Sequence, residues 1–349
     1  MRPFLFSLFC LLLLQATAQE STIRFSLNPP AEKITGSLYS TIAVTDIRYD
    51  SSNLGMVQQG FSKKNYTVVP DTSFNVQAQK VLDAIAPGAG NGHLLMLLRF
   101  FKFTELMDRS KQTGYCYFRA NMYAKKDGRY FPLSVIDTAI VIRRSSYAEL
   151  NALLFKESSH AITAFISKNL VIAPVNADSY TLEQLVQVDS IEKRAIPIYS
   201  ASSFKDGIYL TYPSFKNQVP DLEIKSVDTS DNEIAMLHAK KQDGGTLRVN
   251  PRELYAVIHA GTIYMPAGRG YGILKKRDND FYLKGEAAVT YDNVAGHKIV
   301  GAVLLGAPGI LSNPKASYRH FEMKLDHLDG LLIKIRELSR EEIKRLKQE

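Results

Sequence analysis

Apolar residues recur along this chain in two periods, and the switches between the periods outline its elements. TIAVTDIR, residues 41–48, alternates and predicts a strand. SFNVQAQKVLDAIAP places Phe74, Ala78, Val81, Leu82 and Ile85 on one helical face and stops at Pro87 and Gly88. HLLMLLRFFKFTEL, residues 93–106, is apolar nearly throughout. Alone it fits a long strand or a buried helix, and its neighbours favour a strand. YCYFRANMYAKKDGRYFPLSVIDTAIVI predicts two strands around an Asp127-Gly128 turn. SSYAELNALLFKESSHAITAFISKNL is the clearest helix. Ser146 and Glu149 make a capping-box pattern, and Tyr147, Leu150, Leu154, Ala161, Phe165 and Ile166 form its stripe.

The pattern then changes. Residues 173–195 read as a connector with a short helix. After it come many short alternating or apolar runs separated by turns: LEIKSVD, EIAMLHAK, TLRVN, LYAVIHAGTIYM, GYGILKKRDNDFYLKGEAAVTYD and KIVGAVLLG. Such a series predicts an antiparallel β domain. IVGAVLLGAPGIL, residues 299–311, reads as a buried strand and a tight loop. Phe321, Met323 and Leu325, the Asp329-Gly330 turn, and Leu331, Ile333 and Ile335 predict a hairpin, a helix being the alternative for its second half. Ser339 and Glu342 open a short basic helix with a second capping-box pattern. The expected fold class is α+β, with an α/β-sandwich-like domain over residues 21–172, a connector over 173–195, a mainly antiparallel β domain over 196–338 and a terminal helix over 339–349.

The N-terminal pattern sets the expected compartment. MRPFLFSLFCLLLLQATAQE has a basic start, an apolar run from Phe4 to Leu14 and small residues at Ala16 and Ala18, the layout of an export signal cleaved after Ala18. The run is shorter than the roughly 20 residues of a spanning helix. Bulky Leu8 and Phe9 precede Cys10, which argues against lipid attachment there. Removal of residues 1–18 leaves Cys116 as a lone cysteine with no disulfide partner, expected as a buried apolar residue in a strand. The reading implies secretion across the inner membrane to the periplasm or outer membrane, with no transmembrane span. The formal charge of +8 is spread along the chain. It suits acidic polymers or anionic lipid, including peripheral membrane contact, and an exported chain argues against nucleic acid.

Few catalytic patterns survive inspection. G-x-S-x-G is absent, and the three S-x-x-K strings, at Ser190–Lys193, Ser202–Lys205 and Ser312–Lys315, lack their S-D-N and K-T-G companions. The histidines are scattered, with no H-E-x-x-H. His320, His327, Asp326 and Asp329 lie close in sequence and carry zinc-compatible groups, but a strand puts His320 and Asp326 on one face and His327 on the other. Gly268, Gly270 and Gly272 miss the dinucleotide spacing by one position and fit a turn between strands with positive φ. No catalytic residue, metal site or cofactor is assigned. The aromatic and basic segment around this turn remains, with Tyr264, Arg269, Tyr271, Lys275, Lys276, Arg277 and Tyr282 as candidate partner-binding residues.

Gly207, Ile208, Tyr209, Phe215, Asn217 and Pro220 in FKDGIYLTYPSFKNQVP, with LYAVIHAGTIYM and LDHLDGLLIKI, resemble a phrase in uncharacterised secreted proteins of Bacteroidota. The likeness covers mainly residues 204–335. It implies a cell-envelope origin and transfers no catalytic residues. The resulting expectation is a noncatalytic envelope protein that binds a protein or an envelope polymer. An envelope hydrolase acting on glycan or peptide through acids converging in space, and a structural subunit of an envelope assembly, are the alternatives.

Overall fold

The computed structural model describes residues 21–59, 64–88, 90–107, 112–144, 147–175, 178–230, 233–241, 243–250, 253–267, 270–288 and 318–346. The export signal, Cys10, the Ser146 cap, Arg269 and the 299–311 run lie outside them. The chain has an N-terminal mixed α/β region and a mainly antiparallel β region after it. It divides into two compact units. One comprises Met1–Asn91, Leu98–Ala120 and Ile136–Ile172, and the other Gly92–Leu97, Asn121–Val135 and Ala173–Glu349.

In the N-terminal region, β1 (Thr22–Phe25), β3 (Met56–Gln59) and β4 (Lys64–Pro70) form a small sheet of order β1-β4-β3. A second sheet has order β2-β5-β6-β7, from β2 (Tyr39–Asp46), β5 (Gly92–Met107), β6 (Gln112–Lys126) and β7 (Arg129–Arg144). The expected turn between the last two is present, with Asp127 and Gly128 both at positive φ. Helix α1 (Phe74–Ile85) buries Ala78, Val81, Leu82 and Ile85, as its spacing implies. It also closes the edge of β2. Asn75 Oδ1 accepts from Val44 N–H at 2.7 Å and its amide donates to Val44 O, while Gln79 treats Ile42 N–H and Ser40 O the same way. Two side-chain amides thus stand in for a neighbouring strand and leave less edge to pair with another chain. Helix α2 (Tyr147–Asn169) packs Leu150 and Leu154 where Gly114 leaves room on β6. Phe25, Phe101, Phe103 and Phe155 meet at centroid distances of 4.9–5.7 Å, mostly edge-on or tilted.

The β-rich region is organised by a seven-stranded sheet of order β17-β16-β15-β14-β13-β12-β8. Its members are β8 (Gly207–Tyr209), β12 (Ala256–His259), β13 (Thr262–Ala267), β14 (Gly270–Arg277), β15 (Asp280–Ala288), β16 (Tyr318–Leu325) and β17 (Leu332–Glu337). From β12 onward it is a meander in which each strand pairs with the next. The expected hairpin over 318–337 is strand on both sides. β9 (Ile224–Ser230), β10 (Glu233–Lys240) and β11 (Thr246–Arg248) make a separate three-stranded sheet. Strand parity divides the seven-stranded sheet between two cores. Ala256, Ile258, Ile263, Met265, Leu274, Phe281 and Leu283 enter one core with Tyr199, Tyr212 and Phe215. Val257 and Tyr271, with Tyr264 partly buried, enter the other with Ile234 and Leu237 of β10. Of the three glycines expected to turn the chain at positive φ, Gly268 lies outside the described residues and the other two do not turn it. Gly270 and Gly272 lie inside β14, and a Cβ on Gly272 would come within 3.0 Å of Leu283, so Gly272 makes room rather than a reversal. Among the described residues, no helix is long and apolar enough to cross a membrane.

Candidate functional site

Three short helices precede β8, α3 (Leu182–Val186), α4 (Val188–Arg194) and α5 (Pro197–Ser200), and a fourth, α6 (Tyr212–Lys216), follows it. None is long enough to persist by propensity, so each depends on caps and burial. Thr181 and Gln184 form a capping box at α3, and Leu185 and Val188 are buried. Asp189 sits in the first turn of α4, and Lys193 and Arg194 in its last, the arrangement that suits the helix dipole. Asp189 and Glu192 are three residues apart and therefore share a face.

That face meets the turn between β16 and β17. The turn is closed by Gly330 N–H donating to Asp326 O at 2.9 Å and Asp326 N–H donating to Leu331 O at 2.7 Å. Asp326 and Asp329 each accept from a backbone N–H two residues on, as such residues do in Asx turns. Gly330 has φ +76°, and a Cβ there would collide with the Tyr212 ring. Two buried phenols hold the loop from below. Tyr212 donates to His327 O and Tyr255 donates to Gly330 O at 2.7 Å. Burial, followed by the charges of Asp326 and Asp329, pushes the Tyr212 phenol far above its ordinary range. For Tyr255 burial acts first, then the Tyr212 and Tyr199 phenols. Both groups therefore remain protonated donors.

His327 projects from this turn and is 4% exposed. Its Nε2 lies 2.8 Å from Glu192 Oε2, and its Nδ1 lies 3.9 Å from Asp326 Oδ1. The Tyr199 ring meets the imidazole edge-on. Asp189 completes a group of three donors whose ligating atoms all lie within 4.8 Å of one another. Of the four residues singled out around the hairpin, Asp326 and His327 therefore meet. His320 lies apart, 4.0 Å from Glu286. Asp189 and Glu192 were not singled out from sequence, because 135 residues separate Glu192 from His327. Their available signal was a pair of acids at i, i+3 in a short helix.

The basic and aromatic candidates divide by strand face. Tyr271 is 6% exposed, and its hydroxyl has no hydrogen-bond partner among the described residues. Lys275 is exposed. Lys276 turns back, donating to Tyr199 O and lying 5.9 Å over the Phe281 ring. Arg277 stacks 3.9 Å over Tyr282 and pairs with Glu322 at 3.2 Å. Glu322 also pairs with Arg336 at 3.0 Å, and Arg336 with Glu342 at 2.6 Å. This chain of charges crosses β14, β16 and β17 and ends on α7 (Arg340–Leu346), whose Ser339–Glu342 capping box is formed. Lys193 and Lys324 share Asp280, at 2.6 and 2.9 Å. The S-x-x-K string at Ser190–Lys193 thus places its lysine in an ion pair.

No family model matches this chain, and no curated protein matches it. A crystal structure of a Xanthomonas campestris protein assigned to the family DUF330 matches at 10% identity over 43% of this chain and 95% of that one. The TM-score is 0.30, and a likeness at that level carries no argument about function. The protein is a two-unit, largely β-rich chain distantly and partially similar to that uncharacterised protein.

Proposed function

We propose that this chain is an exported, noncatalytic protein of the cell envelope that binds a protein or an acidic envelope polymer through Lys275, Arg277 and Tyr282 at the β14–β15 hairpin. The observation that carries the reading is the Arg277 platform. Its guanidinium lies 3.9 Å over the Tyr282 ring and pairs with Glu322, while 58% of the side chain faces water. Exposed arginine normally loses much rotamer freedom on binding. Here stacking and pairing have already restricted it, which lowers the cost of engaging a partner. Lys275 and Tyr282 are paired in register beside it and extend the platform. Tyrosine and arginine are the side chains that most often dominate interfaces. The export signal motivates the envelope assignment.

Purified protein would be co-sedimented with isolated envelope fractions, separately with peptidoglycan and with outer-membrane vesicles. Retention by one fraction, lost in an Arg277→Ala/Tyr282→Ala variant that keeps the wild-type circular dichroism, is the expected result. Equal retention of wild type and variant would exclude the platform as the binding face.

A further inference from the structure

The geometry points to a site for a divalent transition ion, Zn²⁺ fitting best, formed by Asp189, Glu192 and His327 between α4 and the β16–β17 turn. One imidazole nitrogen and two carboxylates form a donor set that zinc accepts, with a fourth position left for water. Three features distinguish this group from a chance surface cluster. His327 is almost fully buried, and its Nε2 is aimed at Glu192. Both its backbone and its ring are held in place, by the Tyr212 hydroxyl and the Tyr199 edge. Asp326 Oδ1 stands 3.9 Å behind Nδ1, on the side where a carboxylate orients a metal-bound histidine.

Bonds of about 2.0 Å to a tetrahedral ion put neighbouring donors roughly 3.3 Å apart. The 2.8 Å His327–Glu192 separation therefore needs to widen by about half an ångström, and the longest separation in the group, up to 4.8 Å, to close by up to about 1.5 Å. Glu192 is partly exposed, with 31% of its side chain open, which provides an entry path and room for that movement. The two carboxylates supply anionic donors that a divalent ion accepts. The ion would bridge elements distant in sequence, so its binding energy would also tie a seven-residue helix to the sheet.

The test uses the full-length mature protein stripped with a chelator. Titration with Zn²⁺ should show one saturable site and a raised Tm, and Co²⁺ should give the intense visible absorption of a tetrahedral site. Asp189→Asn/Glu192→Gln keeps the shape of both side chains and leaves His327 in place. It should fold and bind at least ~10-fold more weakly, because two anionic ligands are lost. Asp326→Asn, which can still accept from Leu328 N–H, should weaken binding about 10-fold or more by loosening the imidazole. A stripped wild-type protein that binds no Zn²⁺, or a double variant that binds it as tightly as wild type, overturns the assignment. Either result would leave His327 and Glu192 as a partly buried hydrogen-bonded pair.

Discussion

Glu105 offers a direct test of the N-terminal core, because its burial opposes its charge. The residue lies on β5 at 1% exposure, and Gln58 N–H donates to its Oε2 at 3.1 Å. Asn151 donates to Gln58 O from the same cluster. Among the described residues, Glu105 Oε1, Gln58 Oε1 and Asn151 Oδ1 are buried acceptors with no partner, so the cluster is rich in oxygens and short of protons. Burial raises the Glu105 carboxyl from 4.5 to about 7, against the smaller opposing pull of the Gln58 N–H. At about 1.4 kcal/mol per pH unit, ionising this group in place costs about 3 kcal/mol.

The sign follows from linkage. The folded state holds the proton more tightly than the unfolded chain. Its contribution is therefore fully present below about pH 4.5 and is lost as pH rises through about 7. Glu105→Gln removes the charge, keeps an oxygen for Gln58 N–H and adds two donors. Urea denaturation at constant ionic strength should find the variant close to wild type near pH 5. By pH 8 it should be more stable by up to about 3 kcal/mol, the two midpoints diverging across the interval. A constant difference between the two proteins from pH 5 to 8 would refute the reasoning. So would a variant less stable than wild type at pH 8, which would mean the ionised carboxylate has partners that favour it.

Two further outcomes are expected. Cys116 is fully buried, and burial pushes its thiol to about 12 despite a hydrogen bond with Ser158. An aromatic disulfide reagent at pH 8 should leave it unmodified in the folded protein and label it once urea is added. Gly330→Ala should destabilise by roughly 2–4 kcal/mol, combining the left-handed backbone with the Tyr212 clash. Gly261→Ala is its control, with φ +75° and open space around its Cβ, and should lose only about 1–2 kcal/mol in the same melts.

Much of the fold was legible because it rests on local rules. The α1 stripe, the Asp127-Gly128 turn, the long β5 run and the alternation on either side of Asp329-Gly330 each satisfy a periodicity or a turn preference that needs no distant partner. Elements shaped by tertiary burial were harder to read. No helix is expected over residues 212–216 from their sequence, yet they form α6 because Thr211 caps them and Tyr212 and Phe215 find a core. β1, β3 and β4 are short, and their sequences scarcely alternate. The site followed the same division. Parity places Tyr271 opposite Leu274, but only the β9–β11 sheet decides that this side is also buried. The loop residues around His327 were visible as a group, whereas their partners on α4 were not, since nothing local connects a short helix to a hairpin so far along the chain.

The meander also has a kinetic consequence. β12, β13, β14 and β15 each pair with a sequence neighbour, so these contacts close short loops and can zip together early. The His327–Glu192 tie closes a separation of 135 residues and has no docking surface until the hairpin beneath it exists. The three donors are therefore scattered in any partly folded chain and converge only as the last long loop closes. Whatever depends on that convergence reports completed folding of the β-rich region rather than its onset.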